Sequence, residues 1–206
     1  MKFPGRKPLS IEEIEDLTGL QALRLYNNYR LPSTVARITQ DYVGVGVNKF
    51  TPKIYKSTEK DLPHFVKYPS AQEEQEGLLR ILQKYDFSDC GILVSTNETV
   101  VKLKNWLNDR GVDVEYKGRK SQDCNIESTL NFSTSNVKIL TFHSAKGLQF
   151  KTVIIPSFEG ADDIAQRKIL YVAMTRTWKN LYILYYSPEL AYPLCNVPDF
   201  LFVKSE

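Results

Sequence analysis

Val137-Lys-Ile-Leu-Thr-Phe-His-Ser-Ala-Lys-Gly-Leu-Gln-Phe150, with Val153-Ile-Ile155 behind it and Tyr171-Val-Ala-Met-Thr-Arg176 beyond, is the stretch on which the fold turns. Two short segments rich in β-branched and aliphatic residues, Val137 to Leu140 and Val153 to Ile155, are bounded by polar residues and read as strands. Between them lies a polar insert of hydroxyls, a His, a Lys and a Gly. The third segment belongs to a helix, expected over 162–177, that closes on an Arg. Such groups suit phosphate. Apolar flanks fix a backbone, and the polar stretch at its end can then be aimed at a ligand.

Outward from this stretch, strand-like and helix-like segments alternate, which predicts βα units and a mainly parallel sheet. Ser10 before Ile11-Glu-Glu13 reads as a capped helix start with acids in its first turn. Leu20 to Tyr26 is strand-like and runs into Asn27-Asn28-Tyr29-Arg30. Pro32-Ser33 opens a helix with an apolar stripe of Val35, Ile38 and Tyr42. Residues 43–60 read as an irregular connection with a short strand, and 64–68 as a strand. Residues 73–85 form a helix with Leu78, Ile81, Leu82 and Tyr85 on one face. Gly91-Ile-Leu-Val94 is a buried-type strand. Ser95-Thr-Asn97 caps the next helix, which carries Val100, Leu103 and Leu107, and Gly111 suits a left-handed position past its end. Val112, Val114 and Tyr116 alternate as a strand. Residues 117–136 are polar and irregular, and Leu181 to Tyr185 is the closing strand. No repeat or low-complexity tract interrupts the pattern.

Composition sets the bounds. A chain of 206 residues with 42% apolar residues fits one α/β domain with a packed core. Its net charge of +3 permits nucleic-acid binding without arguing for it. Cys90, Cys124 and Cys195 are odd in number and lack metal-ligand or redox-pair spacing, which fits reduced thiols in a cytoplasmic protein. Met1-Lys-Phe-Pro-Gly-Arg6 has no apolar stretch behind it, so no signal peptide is expected. No apolar run approaches the roughly 20 residues needed to cross a bilayer.

In open parallel sheets ligands gather at the C-terminal ends of strands. Four polar clusters are expected at or beside such ends: Asn27 to Arg30, Ser95 to Asn97, Thr141 to Gly147, and the helix carrying Arg176. Taken singly, each has a bland reading. An Arg is usually solvated or structural, a Lys-Gly pair usually ends a helix, and a lone His is usually satisfied within the fold.

Their order and spacing resemble a half-domain of superfamily 1 helicases of the UvrD/Rep type from about residue 20 to about residue 186. Asn28-Tyr-Arg30 is similar to the fourth motif of that family, and Gly91 to Asn97 to the strand and turn that follow. Thr141 to Phe150 resembles the fifth motif and Arg167-Lys-Ile-Leu-Tyr-Val-Ala-Met-Thr-Arg176 the sixth. The resemblance implies a RecA-like lobe (domain 2A): an α/β fold of P-loop NTPase type, with a mainly parallel sheet and helices on both faces. It divides the chain into a lead-in helix at 1–19, the lobe at 20–186 and a tail at 187–206.

It also implies site residues. Tyr29 would stack on adenine, Arg30 would reach the γ-phosphate, and Arg176 would act as an arginine finger. Gly147 and Gln149 would complete the ATP contacts, with Gln149 standing where the family usually has Glu. Thr141, His143, Ser144, Thr96 and Asn97 would meet single-stranded DNA, and Ser95 stands where relatives often carry a basic residue. The implied partners are that DNA and an N-terminal RecA-like lobe of the same polypeptide. The cofactor is ATP with Mg2+, whose metal ligands are expected on that other lobe, and no membrane is involved.

What the sequence lacks matters as much. It contains no Gly-x-x-x-x-Gly-Lys-Ser/Thr, the glycine pattern that a backbone cradle for phosphates requires. Gly44-Val-Gly46 is a poor substitute, and Phe3-Pro-Gly5 is too short to stand for the family's third motif. Residues 117–136 alone occupy the place where relatives insert a helical accessory domain. The expected function is the C-terminal half of an ATP-dependent 3′-to-5′ DNA helicase, inactive by itself. The alternative is a catalytically inactive, helicase-derived nucleic-acid-binding or regulatory module.

Overall fold

The computed structural model describes residues 9–23, 27–44, 54–119 and 126–205. In chain order the elements are α1 (Ile11–Thr18), β1 (Asn27–Asn28), α2 (Ser33–Ile38), β2 (Ile54–Tyr55), β3 (His64–Lys67), α3 (Ala71–Lys84), β4 (Cys90–Val94), α4 (Asn97–Asn108) and β5 (Val114–Arg119). Then follow β6 (Ile126–Ser128), β7 (Val137–Thr141), β8 (Phe150–Ile155), α5 (Ile164–Met174), β9 (Thr177–Tyr185) and β10 (Val203–Ser205). Eight strands form one sheet in the order β10-β3-β9-β8-β4-β7-β5-β6. Every pair in it is parallel except β5 with β6. The expected α/β, mainly parallel architecture is the observed one.

Side chains of a strand alternate between faces, and here the alternation sorts them into two cores. Leu93, Leu140, Val153, Ile155, Leu181 and Ile183 join Val35 and Ile38 of α2 and Leu170, Ala173 and Met174 of α5. Ile92, Val94, Ile139, Ile154 and Leu184 face the other way, onto Leu78, Ile81 and Leu82 of α3 and Val100, Leu103 and Leu107 of α4. Strands β4 and β7 are buried along their whole length, as sheets covered on both faces require.

Local chemistry sets the helix ends. Ser10 and Glu13 form a reciprocal capping box on α1, and Gly19 ends it in the left-handed region at φ 66°. No residue of α1 is buried. Ser70 caps α3, Thr96 caps α4, and Asp163 with Gln166 caps α5. Gly111 takes φ 74° past α4, as expected.

Three expectations change. Leu20–Leu23 is exposed and lies in no strand, because an apolar run with no sheet to join has nothing to bury against. Its end at residues 24–26 lies outside the described residues, as do Phe3-Pro-Gly5, Val45-Gly46 and Cys124. The connection after Tyr116 is not wholly irregular: β5 continues to Arg119 and β6 pairs antiparallel with it. The segment expected as a tail completes the fold. Leu194, Val197, Leu201 and Phe202 are buried, and β10 pairs with β3 in register Val203↔His64. Apolar residues separated by prolines carry no strand or helix period, so the sequence pattern hid this packing.

After α2 the chain widens into a π-type turn at Thr39–Val43. Arg167 of α5 serves its exposed carbonyls, donating from Nε to Val43 O at 3.0 Å and from Nη2 to Gly44 O at 3.0 Å and Tyr42 O at 3.3 Å. A cation at a helix C-terminus satisfies both hydrogen bonding and the dipole. Arg167→Ala is therefore expected to lower stability by about 2 kcal/mol, measured as a shift in urea midpoint. A shift worth less than about 0.5 kcal/mol would show the clasp to be dispensable.

Candidate functional site

The expected clusters do not converge; the sheet separates them into two groups at opposite edges. Because β4, β7, β8 and β9 are parallel, their ends are shared. Ser95–Asn97 and Thr141–Ser144 follow the C-terminal ends of β4 and β7. Gln149 immediately precedes β8 and Arg176 immediately precedes β9, where Phe150 N donates to Arg176 O at 3.0 Å. These two residues therefore lie at the N-terminal edge, and Arg30 joins them there. Residues 142–149 cross from one edge to the other without a helix, with Ala145 buried and Leu148 packed on the core.

At the N-terminal edge, a turn built by Asn28 presents Tyr29 and Arg30. The Asn28 Oδ1 accepts from the backbone N–H of Arg30 at 2.9 Å and of Leu31 at 3.0 Å, the usual way an Asn side chain nucleates a turn. The ladder of β1 with β2 steadies it, and Lys56 N donates to Asn28 O at 2.7 Å. Tyr29 is 66% exposed, and the Lys56 ammonium lies 5.5 Å from its ring centroid. Its ring is a bare platform with a cation beside it.

Arg30 reaches Gln149. With the carboxamide oxygen turned toward Arg30, as the hydrogen-bond network requires, Gln149 accepts from Nε at 2.9 Å and also from Nη1. An amide accepts these bonds without neutralising the guanidinium, as a carboxylate would. Arg176 is held from three sides: Nε donates to Val172 O at 2.9 Å, Nη1 to Leu148 O at 3.3 Å and Nη2 to Thr175 Oγ1 at 3.3 Å. A guanidinium has five N–H donors, so no described residue engages the remaining two. Burial lowers the Arg176 pKa, the Arg30 charge lowers it further, and Tyr171 opposes the shift. Among the described residues neither arginine is in an ion pair. The two guanidiniums, each anchored by hydrogen bonds and neither ion-paired among the described residues, present positive charge that an anion could engage. Gly147 shapes the approach, turning the chain at φ 89°.

Beside Gln149 an open cleft of about 490 Å³ is lined by Ser88, Asp89, Phe132, residues 133–136, Lys138 and Phe150. Its floor is pinned by a buried ion pair, Lys138 Nζ to Glu115 Oε2 at 3.3 Å. Lys138 also donates to Asn136 O at 2.7 Å and Thr134 O at 3.2 Å, while Glu115 accepts from Thr134 Oγ1 and Asn131 N. The sequence marked neither residue, since a Lys and a Glu on separate strands give no linear pattern.

At the C-terminal edge Thr141 is buried. Its hydroxyl accepts from Ser144 N at 3.2 Å and donates to Ser144 Oγ at 3.1 Å. Thr141 thus shapes the turn, while His143 is exposed and Ser144 partly so. Thr96 similarly works as a cap, accepting from Thr99 N at 3.1 Å, with Asn97 half-buried beside it. A cavity of about 280 Å³ joins Ser95, Phe142 and His143 to the β8–α5 loop at Pro156–Ala161. Sequence reading missed that loop.

Among the described residues, no group of three or more His, Cys, Asp or Glu side chains could hold a metal ion. The two guanidiniums at the N-terminal edge suit an anion rather than a metal ion. Among the described residues no helix is long and apolar enough to cross a membrane.

Residues 136–184, from the start of β7 through most of β9, match the family model described as the UvrD-like helicase C-terminal domain. Two curated relatives, the ATP-dependent DNA helicases PcrA of two Staphylococcus epidermidis strains, are each 27% identical over 207 aligned positions. The match takes in 87% of this chain but only 27% of the length of those relatives. The C-terminal domain of a possible DNA helicase from Lactobacillus plantarum WCFS1 has a similar structure, with a TM-score of 0.64 at 19% identity over 87% of this chain and 99% of that one. The E. coli DEAD-box protein SrmB, solved with the regulator of ribonuclease activity A, gives 0.51 at 15% identity over 72% and 91%. At these identities the structural likeness establishes the fold alone.

Proposed function

We propose that this chain is the C-terminal lobe of an ATP-dependent DNA helicase moving 3′ to 5′, supplying one wall of the ATP site and part of a single-strand track. The observation that carries the reading is the pair Arg30 and Arg176, each anchored by hydrogen bonds at the same edge of the sheet and without an ion pair among the described residues. The family match across β7 to β9 supports it.

On this reading adenine stacks on the open face of Tyr29, with Lys56 beside the same ring. The γ-phosphate draws Arg30 away from Gln149. The freed carboxamide is then available to a ribose hydroxyl, and Gly147 allows close approach. Arg176 meets the equatorial oxygens, where phosphoryl transfer needs positive charge and positioning more than covalent help. The Mg2+ that accompanies ATP is held by an N-terminal lobe, and closure of the two lobes completes the site. At the opposite edge His143, Ser144 and the end of α4 at Thr96-Asn97 offer sequence-independent contacts to a DNA backbone. Thr141 contributes through the shape of its turn.

The test is DNA-stimulated ATP hydrolysis by the full-length protein and by this chain alone. The full-length protein is expected to turn over and the chain alone to be silent. A full-length protein that binds DNA without hydrolysing ATP would instead be a regulatory or binding module. A separate check addresses the strand contact. His143→Ala is expected to weaken binding of a single-stranded oligonucleotide by about fivefold, within the range of one lost contact, with an unchanged melting temperature. An unaltered titration would return His143 to a structural role.

A further inference from the structure

Glu74 of α3 is a charge with no evident reason to be inside the protein. It is 2% exposed, yet among the described residues its carboxyl is hydrogen-bonded only by Ser157, whose backbone N–H donates to Oε1 at 2.9 Å and whose hydroxyl donates to the same oxygen at 2.7 Å. The second oxygen, Oε2, is buried without a hydrogen-bond partner. Burial pushes the carboxyl up from its ordinary range, against the pull of the two Ser157 bonds, and nearby Glu159 raises it further. A carboxylate so placed costs stability, and an apolar side chain of similar volume is often neutral or better. Stability does not account for it.

What Glu74 holds does account for it. Ser157 opens the β8–α5 loop with φ 51°, a left-handed conformation that a side chain disfavours. From there Pro156–Ala161 forms one wall of the 280 Å³ cavity, facing Ser95, Phe142 and His143 on the other. The two bonds to one buried oxygen fix the strained residue at the hinge of that wall. We infer that Glu74 is a positioning residue, clamping the β8–α5 loop so that the cavity beside His143 stays open to single-stranded nucleic acid. The inference rests on the strand-binding reading given above.

The variants separate positioning from packing. Glu74→Leu removes the clamp and the buried charge together, and the released Ser157 N–H can turn to water because Ser157 is exposed. This variant is expected to melt no lower than the parent. Its affinity for a fluorescent oligothymidylate is expected to fall about tenfold, the equivalent of about 1.4 kcal/mol. Glu74→Gln keeps an oxygen acceptor for both Ser157 donors and is expected to bind within about twofold of the parent. Ser157→Ala, which keeps the backbone bond, carries the test if Glu74→Leu does not fold, with an expected loss of about threefold. Combined with Glu74→Leu it is expected to add nothing, as for two ends of one contact.

A folded Glu74→Leu, or failing that Ser157→Ala, with parental affinity would overturn the clamp. So would a Gln variant as weak as the Leu variant. A parent chain that binds no oligothymidylate would overturn the strand-binding reading and the inference with it.

Discussion

Arg176→Ala is expected, on the proposed reading, to lower ATP turnover of the full-length protein about a thousandfold, the usual worth of an arginine finger. The size of the effect follows from how the residue is held. Three hydrogen bonds, to Val172 O, Leu148 O and Thr175 Oγ1, fix the guanidinium before any nucleotide arrives, so little ordering remains to be done during reaction. Half-burial and the neighbouring Arg30 leave its charge uncompensated. Lysine should not rescue it, because an ammonium cannot hold the same three acceptors and still present a planar fork. Single-turnover hydrolysis with oligonucleotide present is the measurement. Oligonucleotide affinity should change little, since Arg176 lies at the other edge of the sheet. Turnover within tenfold of the parent would exclude the role.

The second large effect is structural. Glu115→Ala is expected to destabilise the chain by about 3 kcal/mol, because it strands the Lys138 ammonium inside the protein. Exposure of the two side chains is only 8% and 5%. Glu115→Met with Lys138→Met should recover most of that loss, since no charge remains to be solvated. The acid limb of the stability curve supplies a second check. Burial alone would raise the Glu115 carboxyl, but hydrogen bonds from Thr134 and Asn131 and the Lys138 ammonium outweigh it and hold the carboxyl below its ordinary 4.5. A depressed folded value means the unfolded chain takes up protons first. The stability from this pair is therefore present above about 4.5 and is lost as pH falls through the folded value. The double variant should lack that component of acid unfolding. If Glu115→Ala loses less than about 1 kcal/mol, the pair is not the pin described here.

Much of this architecture was written in local pattern. Short segments such as Gly91–Val94 and Val153–Ile155, apolar throughout and bounded by polar residues, read directly as strands covered on both sides. The helix at Ala71–Lys84, expected over 73–85, announces itself by its stripe, and the caps at Ser10 and Thr96 by their hydroxyls, whereas the cap at Ser70 was not expected. Less legible was anything that depends on who lies opposite whom. Strand β10 is too short and too polar to signal itself, and only its partner β3 makes it a strand. Arg167 sits inside a recognisable motif, yet its work is to cap a turn more than a hundred residues earlier in the chain. Nor does the sequence say that Thr141 spends its hydroxyl on Ser144, or that Glu74 meets Ser157. The candidate site was legible as a set of residues but not as a shape. Its members were expected at one edge of the sheet and occupy two, because the fifth motif runs across the sheet instead of stopping at a strand end.

That crossing has a mechanical meaning. Residues 142–149 carry His143 at one end and Gln149 at the other, while Ala145 is sunk in the core between them and Leu148 packs against it. The segment is anchored in its middle and tied near both ends, Phe142 N donating to Val94 O at 2.9 Å and Gln149 accepting from Arg30. On the proposed reading it is the covalent link between the strand contacts at His143 and the nucleotide contacts at Gln149, held along its length by the core between them.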